Sequence, residues 1–220
     1  AVASFGSTTT TQDASGDVVS TEEVRFTRAE LEAVLKDFTG DIEQIPPMVS
    51  AVKVGGERLY KKARRGEEVE RAARKVTIGA LNLLEFQEEP PRRARATLDV
   101  TCSGGTYIRT LVHDIGQRLG CGAHLAELRR TASGPFTEDQ AVPLDKIGRS
   151  NLRPLREAVA LLPSLSVDAE RAKAVSYGRA LEIEVGEEIE DLVAIFSDEW
   201  LLAVYKRDGN RLIPETVVGY

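Results

Sequence analysis

Cys102-Ser-Gly-Gly-Thr-Tyr-Ile-Arg109 is the stretch on which the reading of the fold turns. Ala94 to Cys102 before it reads as a strand. Ile108, Leu111, Val112, Ile115 and Leu119 after it recur at helical spacing, predicting a helix over Thr106–Leu119 that ends at Gly120. The segment is therefore a strand-to-helix joint. Gly104 and Gly105 permit torsions and close approaches that other residues resist. Thr106 is placed to cap the helix, whose N-terminus favours an anion. Tyr107 and Arg109 fall in the first turn, where a ring can stack on a base and a guanidinium can pair bidentately with a carboxylate. An ordinary capped helix with a surface arginine fits the same residues.

Upstream, residues 1–6 read as a strand, Ser7 to Gln12 as a Thr-rich polar loop and Asp13-Ala-Ser-Gly16 as a turn. Thr27 and Glu30 match a capping box, and Leu31, Val34, Leu35 and Phe38 continue at helical spacing towards Gly40. Ile45-Pro46-Pro47-Met48 cannot be helical, because proline lacks a donor and forces extended geometry on its predecessor. Gly55-Gly56 predicts a hairpin turn, Arg58 to Arg65 a short basic helix, and Val76 to Phe86 a strand joined to Ala94–Cys102 by a turn at Pro90-Pro91. Ala123 to Arg130 is expected as a further short helix, with helical stretches around Asp145–Ile147 and Leu155–Leu162. Beyond Pro163, short segments separated by turn signals (Ala180–Val185, Leu192–Phe196, Trp200–Tyr205, Arg211–Val218) predict a small β-rich module. The expected division is 1–163 and 164–220.

The 220 residues are 42% hydrophobic and 29% charged, enough for one large or two small cores. No apolar run approaches the roughly 20 residues that a membrane-spanning helix requires. Two cysteines are too few for a disulfide framework, which favours a reducing cytoplasm. The opening Ala-Val-Ala-Ser-Phe-Gly6 has no charged region leading into an apolar one, as a signal peptide would. It reads as a strand inside a domain, so the sequence is taken as a piece of a longer chain.

The net charge of −6 argues at first against a polyanionic partner. Its distribution argues the other way. Residues 1–45 carry 3 Lys/Arg against 9 Asp/Glu, residues 151–220 carry 8 against 13, and residues 46–150 carry 18 against 13. A basic centre between acidic ends suits nucleic acid, as it also suits a solvated face. Lys53 to Lys75 concentrates nine basic residues against four Glu, with Tyr60 interleaved. That composition fits a surface tracking a phosphate backbone with one stacking platform, or a solvated helix with internal ion pairs. Cys121 and His124 have a ligand-like spacing, but two Cys and two His cannot complete a tetrahedral zinc site. A buried thiol is the simpler reading of Cys121.

Four ordered runs together resemble the TruB family of tRNA pseudouridine synthases. They are Gly40-Asp-Ile-Glu-Gln-Ile-Pro-Pro-Met-Val-Ser-Ala-Val-Lys53, Gly56-Glu-Arg-Leu-Tyr-Lys-Lys-Ala-Arg-Arg-Gly66, Ser103-Gly-Gly-Thr-Tyr-Ile-Arg-Thr-Leu111 and Leu119-Gly-Cys-Gly-Ala-His-Leu-Ala-Glu-Leu-Arg-Arg130. The related dyskerin-type synthases of guide-RNA particles share the third run. The Tyr60 to Gly66 stretch looks more like the bacterial stand-alone enzyme.

The resemblance implies an α+β fold with a mixed, largely antiparallel sheet, flanking helices and a C-terminal module similar to the PUA domain. It implies isomerisation of a uridine in the TΨC loop to pseudouridine by a cytoplasmic monomer that binds the T-arm of tRNA, without metal or organic cofactor and without a membrane. By resemblance Tyr107 contacts the flipped base, Arg109 pairs with the nucleophilic aspartate and Leu128 packs on the target nucleotide. Lys53, Tyr60, Arg64 and Arg129 are the further substrate-binding candidates. The family's nucleophile lies in a Gly-Thr-Leu-Asp-Pro run that does not occur in these residues. It is expected upstream of Ala1, and the chain by itself is expected to be inactive. Asp114 is read as structural. A non-catalytic RNA-binding or RNA-folding protein, or a component of a guide-RNA particle, are the alternative readings.

Overall fold

The computed structural model describes residues 1–50, 53–54, 56–58, 65, 69–89, 91–183, 189 and 191–218. They divide into two compact units, Ala1–Arg129 and Arg130–Tyr220. Among the described residues no helix is long and apolar enough to cross a membrane.

The first unit is built on one antiparallel sheet. Its strands are β1 (Val2–Phe5), β4 (Gly40–Gln44), β7 (Arg74–Glu89), β8 (Arg93–Cys102) and β9 (Ala123–Glu127), in the order β4-β7-β8-β1-β9. Two short hairpins lie outside it: β2 (Ser7–Thr9) with β3 (Val18–Thr21), and β5 (Lys53–Val54) with β6 (Glu57–Arg58). Helices α1 (Arg28–Asp37) and α2 (Ile108–Arg118) supply Leu31, Leu35, Leu111, Val112 and Ile115 to a core shared with Ala3, Phe5, Ile78, Ala94, Ala96 and Leu98 of the sheet.

Local sequence explains these elements. Ala94, Ala96 and Leu98 are buried at alternate positions of β8, as one inward face of a strand requires. The capping box at α1 is complete, with Thr27 and Glu30 exchanging hydrogen bonds at the helix start. Phe26, just before it, meets Phe5 edge-on with ring centroids 5.1 Å apart. Gly116 is where α2 crosses the sheet: a Cβ there would stand 2.2 Å from the backbone nitrogen of Ala123.

Several expectations need correcting. Ala123–Glu127 is a strand, because burial there alternates with period two and the segment pairs with the free edge of β1. Ser7–Thr9 is strand rather than loop, its threonines suiting a pleated surface beside Val18–Thr21. The helical stretch after Pro154 is four residues long, α3 (Leu155–Ala158), and the one near Asp145 is a single 3-10 turn, Leu144–Lys146. The basic helix expected over 58–65 falls mostly outside the described residues. Arg58 lies in β6, and Arg65 pairs with Glu57 at 2.8 Å. Gly56 takes the left-handed conformation between β5 and β6; Gly55 and Pro90 lie outside the described residues.

The second unit holds a small hairpin, β10 (Ala132–Ser133) with β11 (Phe136–Thr137), then α3. A five-stranded sheet follows, in the order β12-β14-β15-β16-β13. Its strands are β12 (Ser164–Ser166), β13 (Leu181–Glu182), β14 (Leu192–Ser197), β15 (Trp200–Asp208) and β16 (Arg211–Val217). Only β12 with β14 is parallel among the described pairings of this sheet. Helix α4 (Ala169–Ser176) covers the sheet through Val175, and Tyr205 is fully buried, its hydroxyl donating to the Arg179 carbonyl at 2.7 Å. Pro163 lies inside this unit, directly before β12, and its carbonyl accepts from the Ala194 amide.

Candidate active site at the start of helix α2

The Cys102–Arg109 joint lies where β8 ends and α2 begins. Gly105 is left-handed (φ +83°), and Thr106 turns its hydroxyl back to the Ser103 carbonyl at 2.9 Å. Thr106 is therefore not the cap that the sequence suggested. Tyr107 occupies the N-cap position, with no side-chain cap hydrogen bond. Its backbone is held from across the sheet instead. The Tyr107 amide donates to Gln44 Oε1 at 3.0 Å, and Gln44 Nε2 donates to the Tyr107 carbonyl at 3.3 Å. Gln44 ends β4 and is 2% exposed, so both halves of its amide must be satisfied inside the protein.

Two residues further on, the Arg109 guanidinium is tied on both sides. Nη1 donates to Asp13 Oδ2 at 2.7 Å and makes a longer contact with the Thr11 carbonyl at 3.5 Å, while Nη2 donates to the Val49 carbonyl at 2.8 Å. Both charged side chains of the Arg109–Asp13 pair are about one-quarter exposed. Thr110, nearly buried, donates to Gln12 Oε1 at 2.8 Å. Loop 11–13 is fixed in its turn by β9: Leu125 donates its amide to the Gln12 carbonyl, and its own carbonyl accepts from Ala14. Gln12 has a positive φ of 64°, a conformation that costs a non-glycine residue energy.

Asp13 is more fully bonded than a nucleophile would be. Its Oδ1 accepts from the Thr11 hydroxyl at 2.7 Å, the Ser15 amide at 3.0 Å and the Ser15 hydroxyl. Burial alone would push its carboxyl up. The bonds from Ser15 and Thr11 and the Arg109 charge outweigh burial and hold the carboxyl below its ordinary value. An ionised, saturated carboxylate orients a guanidinium well and attacks carbon poorly. Asp114 is not among the partners of Arg109; burial pushes its carboxyl up, with a smaller opposing effect from His113.

Of the residues singled out in the sequence, Tyr107 and Arg109 are brought together here. Leu128 is 54% exposed and lies just beyond β9, three residues after the Leu125 that braces loop 11–13. Arg129 follows it and has a partner of its own. Tyr60, Arg64 and the Lys53 side chain lie outside the described residues. Among the described residues no group of three or more His, Cys, Asp or Glu side chains is placed to hold a metal ion. Sequence reading missed Gln44, Gln12, Asp13 and the Val49 carbonyl. Gln44 had one visible signal: it shares a strand face with Ile42, so a polar residue stood at an inward position.

Comparison with known proteins identifies the family. Residues 1–108 match the model of the TruB family pseudouridylate synthase N-terminal domain, and residues 109–160 that of the tRNA pseudouridylate synthase B C-terminal domain. The chain belongs to the TruB family of pseudouridine synthases. It is 53% identical over 165 residues to the tRNA pseudouridine synthase B of Pseudomonas fluorescens, a match covering 74% of this chain and 52% of that protein. It is 48% identical over 187 residues to that of Shouchella clausii, covering 81% and 62%. The chain thus spans about half the length of the curated relatives it matches. Among solved structures, a Cbf5–Nop10–Gar1 complex aligns with a TM-score of 0.65 at 27% identity, over 98% of this chain and 65% of that one. An archaeal box H/ACA Nop10–Cbf5 complex aligns at 0.63 and 26%, with the same coverage.

Proposed function

We propose that this chain supplies one side of the active site of a tRNA pseudouridine synthase, which isomerises a uridine in the T-arm to pseudouridine. The observation that carries the reading is the Arg109 guanidinium, fixed by Asp13 and the Val49 carbonyl at the start of α2 within a region matched by the family models. The reaction breaks the N1–C1′ glycosidic bond and rotates the base. It then joins C5 to the same C1′, with the C5 proton lost and N1 left protonated. The base must leave its stack to be reached. In this reading Tyr107 lies against the base, Arg109 holds a nucleophilic aspartate in its ionised form, and Leu128 forms an apolar wall that excludes water. Lys53, Tyr60, Arg64 and Arg129 contact the RNA.

Asp13 is the brace of Arg109, and the nucleophile comes from a Gly-Thr-Leu-Asp-Pro run that is not part of these 220 residues. A tritium-release assay on uridine-labelled tRNA tests this. Turnover is expected from the chain joined to a segment carrying that run and not from the 220 residues alone. Turnover by the 220 residues alone would overturn the assignment of the nucleophile. Tight tRNA binding without turnover in either form would favour a non-catalytic RNA-binding protein. The solved structures of Cbf5 with Nop10 give a third reading, a guide-RNA particle component, which predicts stable protein partners and little affinity for free tRNA.

The cytoplasm and a monomeric state complete the proposal. Residues 164–220 are assigned as a PUA-like module that adds little RNA affinity, given its excess of acidic residues. Loss of tRNA binding on deleting 164–220 would reverse that assignment.

A further inference from the structure

We propose that Gln44 is a positioning residue for the reaction, acting through the backbone of Tyr107; this rests on the isomerase reading above. Three observations support it. Gln44 is the largest buried polar side chain among the described residues of the first unit at 2% exposure, and it spends both its amide donor and its acceptor on one residue 63 positions away. That residue is the N-cap of α2 and makes no side-chain cap hydrogen bond, and Gln44 satisfies its backbone amide, one of the donors left over at the helix start, from another strand. Gln44 also stands where the chain leaves β4 for Ile45-Pro46-Pro47, and this departing segment provides the Val49 carbonyl that holds Arg109 and the Pro46 carbonyl that holds Arg71.

One side chain therefore fixes two things relative to each other. It sets the start of α2, from which Tyr107 and Arg109 project, and it anchors the segment that braces the guanidinium from the far side. An apolar residue of similar size would fill the same space. It would leave the Tyr107 amide without a partner and its carbonyl with only the Leu111 amide. The first turn of α2 would then be free to shift against Val49. Small displacements of this kind cost far more in a reaction rate than in binding.

The experiment compares Gln44→Leu and Gln44→Glu with the parent, using amide hydrogen exchange, tRNA affinity and tritium release from labelled tRNA by the catalytically complete enzyme. In Gln44→Leu, exchange of the Tyr107 amide is expected to accelerate by about tenfold or more, while amides of β7 and β8 keep their rates. Turnover is expected to fall on the order of a hundredfold with tRNA affinity retained.

Gln44→Glu separates positioning from filling. An ionised carboxylate can accept from the Tyr107 amide but presents a second oxygen to its carbonyl; only the protonated form can both accept and donate. Turnover of Gln44→Glu relative to the parent should therefore climb as pH is lowered. An unchanged Tyr107 exchange rate in Gln44→Leu overturns the proposal. So does faster exchange spread evenly over the sheet with a matching loss of turnover, or a Gln44→Glu ratio that is flat with pH. If the parent enzyme bound tRNA but released no tritium, the isomerase reading would fail, while the exchange rate of Tyr107 would still decide whether Gln44 holds the start of α2.

Discussion

The two ends of helix α2 are held by opposite means. At its start every side chain from Arg109 to Thr110 is fixed by hydrogen bonds to residues far away in sequence, and Tyr107 is fixed through its backbone. At its end Ile115 is fully buried among apolar side chains, and Gly116 lets the helix lie against the backbone of Ala123. Apolar packing is non-directional and secures that the helix is there. Hydrogen bonds are directional and secure where its first turn points. Stability should therefore be concentrated at the far end and function at the near end, and substitutions at the two ends should separate them.

The largest loss of stability is expected from Ile115→Ala. Removing a fully buried isoleucine side chain costs about 2–5 kcal/mol, depending on how far the cavity collapses. Urea denaturation should show a lower midpoint. The Arg109–Asp13 pair should stay intact under native conditions, so tRNA affinity per folded molecule should be unchanged. A loss of affinity larger than the loss of folded protein would show that the two ends are not separable.

Asp13→Ala comes next in stability and first in function. A hydrogen bond to a charged group contributes about 1.5–3 kcal/mol. This pair also directs Arg109, so turnover by the complete enzyme should fall more steeply than stability. The pH dependence has a definite sign. Asp13 has a folded-state value below its unfolded one, so its contribution is present above the unfolded value and disappears as pH falls through the folded one. An acid titration of stability should show the parent and Asp13→Ala converging below about pH 4. A difference that stayed constant through that range would mean the carboxylate charge is not what matters.

Gly116→Ala probes the same end of the helix in the opposite sense, adding volume where Ile115→Ala removes it. The added methyl would meet backbone at distances no real Cβ tolerates, so helix and strand must part, at about 1–3 kcal/mol. Thermal melting should register this, with amide exchange accelerating in α2 and β9 together. Exchange confined to α2 would mean that the helix moves as a unit and the sheet does not depend on it.

These differences also explain what was legible in the sequence. The far end of α2 follows a helical period, and Ile108, Leu111, Val112 and Ile115 announce it without outside information. The alternation in β8 and the Thr27–Glu30 box are equally local signals. The near end depends on pairings across 60 to 98 positions, which no period records. Tyr107 and Arg109 stand in a joint marked by a strand, two glycines and a helical period, and the family resemblance singles them out, whereas only the folded sheet brings Gln12, Asp13 and Gln44 beside them. Ala123–Glu127 was misread for a related reason: five residues with Ala, Leu and Ala at alternate or nearby positions satisfy either period, and the free edge of β1 decides between them.

The smallest effect is expected where the two kinds of restraint meet. Thr110→Val keeps the shape of the side chain in a nearly buried position and removes only the hydroxyl that donates to Gln12 Oε1. A neutral hydrogen bond of this kind contributes about 0.5–1.5 kcal/mol, and Gln12 loses with it one of the contacts that hold its strained backbone. The stability change alone would be hard to tell from a surface effect, so a double-mutant cycle with Asp13→Ala gives the sharper measurement. Gln12 and Asp13 are neighbours in one loop braced by Leu125, and their bonds go to adjacent residues of α2. If loop and helix start behave as one unit, removing the second bond should cost less than removing the first, and the two losses should fall short of additivity. Strict additivity would mean that Thr110 and Arg109 are held independently, leaving the far-end packing as the sole cooperative element of the helix.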